Sequence, residues 1–127
     1  IHFILNGAYM LVVGIIFLLL AGLFGSILLN AILKNKHTPK PIVFLHGAVA
    51  FFAILVMIGY VVAGNTAPLL IAALVLFILA AMGGVFMVTL DFRKKPISKI
   101  VALIHPLVAI SGFVCLIVFV LQQQTVT

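Results

Sequence analysis

Charge is what this chain most lacks. Only 6% of its residues are Asp, Glu, Lys or Arg, against about 25% in an ordinary soluble domain. Asp91 is the single carboxylate in 127 residues, while 67% of the chain is hydrophobic and the mean hydropathy is +1.54. A globule of this size has too little interior to hide so much apolar surface. A soluble domain is therefore excluded, and the composition is that of an integral membrane protein. Cysteine is nearly absent as well. Cys115 alone cannot close a disulfide within the chain, and its place in the last apolar run marks a buried, inert thiol. Ser26, Ser98 and Ser111 have no acid–histidine relay beside them, and no phosphate-binding glycine loop or metalloprotease motif occurs. Hydrolytic chemistry is not expected.

Lys and Arg are missing from everything except two short stretches. Lys34, Lys36 and Lys40 lie in "KNKHTPKP"; Arg93, Lys94, Lys95 and Lys99 lie in "DFRKKPISK". Short loops rich in Lys and Arg stay on the cytoplasmic side. Both clusters are thus expected there, with the uncharged "GNTAP" turn (Gly64 to Pro68) and both termini opposite, as in a protein of the bacterial inner membrane. The pI near 10 then reflects orientation and contact with anionic membrane lipid. No nucleic-acid partner is expected, because no basic surface interleaved with aromatics is present.

Four apolar runs, Ile4–Leu33, Ile42–Ala63, Leu69–Phe92 and Ile97–Leu121, are each long enough to cross a hydrocarbon core of about 30 Å as a helix. Residues 1–127 are read as one all-α transmembrane domain, a four-helix bundle. Pro41 and Pro96 stand near helix starts, where a missing N–H costs little. Sliding the chain against itself by 59 positions brings His46 onto His105 without a gap. Gly25 then meets Gly84, Ala21 meets Ala80, and Lys34, Lys36 and Lys40 meet Arg93, Lys95 and Lys99. Spans one and two are read as a repeat of spans three and four, related by a pseudo-two-fold axis along the membrane normal. Such an axis sets equivalent residues at equal depth, so His46 and His105 face each other across the bundle.

Each histidine follows the last lysine of its loop by six residues, about 9 Å along a helix and inside the hydrocarbon. An ionisable group at that depth marks a functional site by default. One turn and two turns on from the histidines stand Ala50 and Ala53, and Ala109 and Gly112, so both imidazoles look along a strip of small side chains. Gly25 and Gly84 lie at comparable depth on the other two spans. That clearance suits a flat macrocycle between two axial imidazoles, whereas a bare metal ion needs more than two protein ligands. The same small residues, Ala21-x-x-x-Gly25 and Ala80-x-x-x-Gly84, also suit close helix packing.

With the His-Pro of "LIHPLVAISGF" and the small residues and Gly112 after it, the chain resembles the membrane b-type cytochromes, most closely the cytochrome b561 family. The resemblance covers the inner helices of the two halves and rests on a short motif. It implies one haem b with His46 and His105 as axial ligands, and electron transfer to or from a quinone or a partner protein. Two imidazoles would fill both axial positions, favouring electron transfer over oxygen activation. Many b561 proteins carry two haems and two histidine pairs, but only one membrane pair exists here. One haem near one face leaves most of the membrane uncrossed, so a subunit of a larger redox complex or a homo-oligomer is expected. Lys40 and Lys99 are the residues placed to attract haem propionates.

Two other readings stay open: a chlorophyll-type pigment bound in a photosynthetic assembly, and a cofactor-free structural or assembly subunit whose histidines bridge helices. Asp91 is expected to pair with Lys95 one turn on, and Asn30 and Thr89 to bridge helices. His37 reads as solvated. Tyr9, Tyr60 and Gln122–Gln124 read as interfacial residues on the uncharged side. His2 sits at the chain start, where a second haem shared with a partner's histidine is conceivable, and Ile1 in place of Met leaves room for residues ahead of it.

Overall fold

The computed structural model describes the backbone of residues 2–125 and the side chains of residues 7–123. Four helices follow one another: α1 (His2–Leu33), α2 (Lys40–Val62), α3 (Pro68–Phe92) and α4 (Lys99–Thr125), with no strand among the described residues. All four are long and apolar enough to cross a membrane. The short connections make neighbours antiparallel, so the two basic loops share one end of the bundle and the α2–α3 turn lies at the other. α1 packs chiefly on α2, and α3 on α4; α2–α3 and α1–α4 contacts close the ring. α2 and α4 are therefore a diagonal, parallel pair. Leu19, Leu23, Phe44, Phe51 and Val85 point outward and are more than half exposed. Such a surface is tolerable only against lipid.

The elements start and stop for local reasons. α2 begins with Pro41 in its first turn, where its missing N–H breaks no bond. Pro96 stays in the loop, and α4 begins at Lys99, two residues later than the sequence indicates. Pro106 lies within α4, and it has no N–H to give the carbonyl of Ala102. Between α2 and α3 the chain turns at Gly64, whose φ of +115° is a conformation only glycine adopts without strain.

The duplication is visible in the backbone. Asn35 and Lys94, equivalent under the 59-residue shift, are the two non-glycine residues with positive φ among those described, at 55° and 57°. They end α1 and α3 in the same way. Lys36 N donates to Ala31 O at 2.8 Å and Lys95 N to Leu90 O at 2.9 Å, which is the long bond of a Schellman cap.

Burial repeats as well. Leu11 and Leu70, Ala21 and Ala80, Met57 and Leu116, and Tyr60 and Phe119 are buried in equivalent pairs. Where the first half buries Gly14 and Ala53, the second buries Ala73 and Gly112. The apolar core of Leu11, Met57, Tyr60, Leu70, Ala73, Phe77, Leu116 and Phe119 fills the end near the α2–α3 turn. Toward the basic loops the buried apolar residues are all alanines: Ala21, Ala31, Ala80 and Ala102.

Candidate functional site: a histidine pair on the bundle axis

Along α2, residues His46, Ala50, Ala53, Met57 and Tyr60 recur at alternating four- and three-residue steps; along α4 the equivalents are His105, Ala109, Gly112, Leu116 and Phe119. That spacing keeps one stripe of each helix turned toward a partner. Two equivalent pairs meet across the diagonal. The rings of Tyr60 and Phe119 touch edge to face at 6.5 Å between centroids and 80° between planes. The imidazoles of His46 and His105 do the same at 6.1 Å and 78°. Fourteen residues separate the two ring pairs, about 21 Å of helix, and each pair joins residues equivalent under the 59-residue shift.

Neighbouring helices fix the imidazoles. Nδ1 of His46 is 2.8 Å from the backbone carbonyl oxygen of Ala21 on α1. A carbonyl can only accept, so Nδ1 carries a proton, which leaves Nε2 as the nitrogen with a lone pair whenever the ring is neutral. This is the usual state of a metal-binding histidine, oriented by a backbone carbonyl behind it. His105 sits in the matching place on α4, but its Nδ1 is buried without a hydrogen-bond partner. The equivalent carbonyl, Ala80 on α3, lies beside the His105 ring, in a contact at the margin of hydrogen-bonding geometry.

The glycines explain how the rings fit. A Cβ built on Gly25 would lie 3.0 Å from Cε1 of His46 and 3.3 Å from its Nδ1. At Gly84 the nearest atom is Cε1 of His105, at 3.4 Å. The clearance that the sequence suggested for a macrocycle is thus occupied by the imidazoles themselves. Gly25 and Gly84 serve the site by admitting the rings between helices. Ala50 and Ala109 follow one turn further in and are half-buried.

Among the described residues no three His, Cys, Asp or Glu side chains converge. Two neutral imidazoles do not hold a bare divalent ion well; an ion that brings a macrocycle with it needs only the two axial ligands. Metal–imidazole bonds are about 2 Å long, which sets two flanking rings roughly 6 Å apart between centroids. Two imidazoles are a donor set that an iron tetrapyrrole takes; their 6.1 Å edge-to-face contact is equally that of an ordinary ring pair, and a macrocycle between them would require the rings and helices to move apart.

No protein-family model matches the chain, and no match was found among curated proteins or solved structures.

The remaining polar residues gather at the basic-loop end. Lys40 does not reach toward the histidines; it forms an ion pair with Asp91 and donates to Thr38 Oγ1 at 3.0 Å. Thr38 in turn donates to Asp91 Oδ2 at 2.6 Å. Phe92 and Phe44 pack beside this cluster, 6.0 Å apart, with the Lys40 ammonium 5.9 Å from the Phe92 ring. Asp91 therefore does not pair with Lys95. α3 ends at Phe92 and the chain turns at Lys94, so Lys95 is no longer a helical neighbour one turn on. Lys99, the equivalent of Lys40, is exposed.

Several other assignments change. Thr89 donates to Val85 O of its own helix, at 2.8 Å, and Asn30 is exposed with no hydrogen bond to another helix. Neither bridges helices. Tyr60 is not interfacial but buried on the axis. Tyr9 and His37 are exposed as expected. The side chains of His2 and Gln124 lie outside the described residues.

Proposed function

We propose that this chain is a membrane electron-transfer protein that holds one haem b between α2 and α4, with His46 and His105 as axial ligands. The observation that carries the reading is the meeting of two equivalent imidazoles on the bundle axis, 6.1 Å apart between centroids, with the His46 tautomer set by Ala21. The resemblance of "LIHPLVAISGF" to the His-Pro stretch of the b561 family points the same way. The haem would supply a reversible one-electron couple; the chain supplies everything that keeps that couple useful. His46 and His105 would hold the iron from two sides, which favours electron transfer over oxygen activation. Alanines and glycines let the helices close around the rings, keeping water away. The hydrogen bond from Nδ1 of His46 to Ala21 O would make its Nε2 a stronger donor to the iron.

Positive-inside reasoning places Lys40, Lys99 and both basic loops at the cytoplasmic face, in what we take to be a bacterial inner membrane, with haem propionates directed toward that face. Lys99 is the freer cation, since Lys40 already faces Asp91. A quinone or another redox subunit, including a second copy of this chain, is the proposed exchange partner. A single site near one face needs such a partner to move an electron across the bilayer.

The test is a reduced-minus-oxidised absorption spectrum of the gently purified protein, with pyridine haemochrome quantitation. A low-spin b-type signal near one haem per chain is expected. A colourless protein would refute the reading and leave the histidines as groups that pack α1 to α2 and α3 to α4.

A further inference from the structure

The seam between α2 and α3 joins the two halves of the repeat, and these helices touch each other less than α1 touches α2 or α3 touches α4. What they leave is a lipid-facing apolar groove of about 550 Å³, walled by Phe51 and Ile54 of α2 and by Ile78, Met82, Val85 and Phe86 of α3. That volume falls among those of sites that hold one small organic molecule, roughly 300–1,000 Å³. The groove points toward the charged end of the bundle. Seven residues return a helix to nearly the same face, about 10.5 Å further along. One such step from Phe51 is Phe44, and the same step from Val85 and Phe86 reaches Phe92 and Arg93. The rings of Phe44 and Phe92, 6.0 Å apart between centroids, form the rim at that end.

Beyond the rim, uncompensated charge is all of one sign. Every Lys and Arg of the chain lies at this end, and the net charge is +6 because Asp91 offsets only one of the seven. Asp91 is taken by Lys40 and Thr38. Arg93 is exposed, and its guanidinium makes no ion pair among the described residues. A guanidinium presents a planar fork of donors that matches a phosphate. We infer that the α2–α3 groove binds a single anionic phospholipid, with an acyl chain between Phe51 and Phe86 and the headgroup phosphate on Arg93. The site is built once per chain. At the equivalent α4–α1 seam, Gly22 and Ser26 stand where α3 has Ala81 and Val85, and Leu103 and Leu33 stand where the rim has Phe44 and Phe92. Walls and rim are both lower there. The bound lipid spans the junction of the two halves and holds it closed, and it needs no haem at the histidines.

The experiment uses the full chain, delipidated in mild detergent. Phosphatidylglycerol and phosphatidylcholine with identical acyl chains are titrated separately. Native mass spectrometry counts the lipids retained per chain, and the thermal unfolding midpoint is followed alongside. One phosphatidylglycerol per chain is expected, with a raised midpoint. It should bind at least about fivefold tighter than phosphatidylcholine, the worth of one cation beside anionic lipid. Arg93→Gln should lose that preference, while Lys34→Gln, the same loss of charge at the equivalent place on the other seam, should keep it. Ala81→Phe fills the groove with every cation left in place, and should retain neither lipid. Should Ala81→Phe fail to fold, Phe86→Ala trims a wall residue that is 55% exposed and should likewise weaken retention of phosphatidylglycerol. Equal retention of the two lipids by the wild type would overturn the inference, as would equal losses in Arg93→Gln and Lys34→Gln. Undiminished retention in the groove variant, or displacement of the phospholipid by an equimolar long-tailed quinone, would overturn it too.

Discussion

Alanine at Gly25 and alanine at Gly84 should have opposite effects on stability. The two positions are equivalent under the repeat, and the substitution is the same. In both cases replacing a mid-helix glycine gains about 1 kcal/mol of helix propensity. The difference lies in what the new methyl group meets. At Gly25 it would stand 3.0 Å from Cε1 of His46, and that ring is tied by its bond to Ala21 O and cannot simply swing aside. At Gly84 the nearest atom is 3.4 Å away, ordinary contact at its tight limit, on a ring that carries no such tether. Overpacking of the first kind costs about 1–3 kcal/mol. Gly25→Ala should therefore be destabilised by up to about 2 kcal/mol net, and Gly84→Ala should be neutral or slightly stabilised. Gly22, with open space around it, supplies the control for propensity alone. Equilibrium unfolding in mixed micelles, followed by helical circular dichroism, measures all three. Equal shifts for Gly25→Ala and Gly84→Ala would refute the claim that the imidazoles are seated against these glycines.

The end of the bundle that carries the basic loops gives two further expectations. Asp91→Asn removes the ion pair with Lys40 and weakens the bond from Thr38. Because Lys40 is 43% exposed the pair is partly screened, so the loss should be only about 1 kcal/mol; it should shrink in high salt when unfolding is repeated there. Lys94 adopts a left-handed conformation, φ 57°, at the cap that its equivalent, Asn35, fills without difficulty. Lys94→Asn should therefore raise stability by about 0.5–1 kcal/mol in the same assay.

The helices were legible because hydropathy and the two basic loops mark them directly, and their ends moved by only a few residues. The repeat was legible from the glycines, alanines and cations, and the caps at Asn35 and Lys94 now support it through backbone geometry that residue identity alone does not show. That His46 and His105 meet across the bundle was legible from the repeat, which sets equivalent residues on facing helices. Other features depended on where the chain stops being helical or on which groups meet in space. Asp91 and Lys95 have helical spacing, but α3 ends between them, so the pairing goes to Lys40 on another helix. Tyr60 has the composition of an interfacial residue, but its place in the α2 stripe puts it on the axis against Phe119. The inequality between the two histidines depends on the alignment of a single carbonyl, which no periodicity encodes.

The uneven distribution of bulk along the axis governs how the bundle comes apart. Large interlocking side chains, Met57, Leu70, Phe77, Leu116 and Phe119, lie near the α2–α3 turn, while the other end holds alanines and two rings. The far end acts as a pivot and the basic-loop end as a pair of jaws, with Lys40 and Asp91 as the clasp between halves. Segments with few buried contacts open first. Amide exchange should therefore begin near Lys40 and Lys99 and reach Tyr60 and Phe119 last.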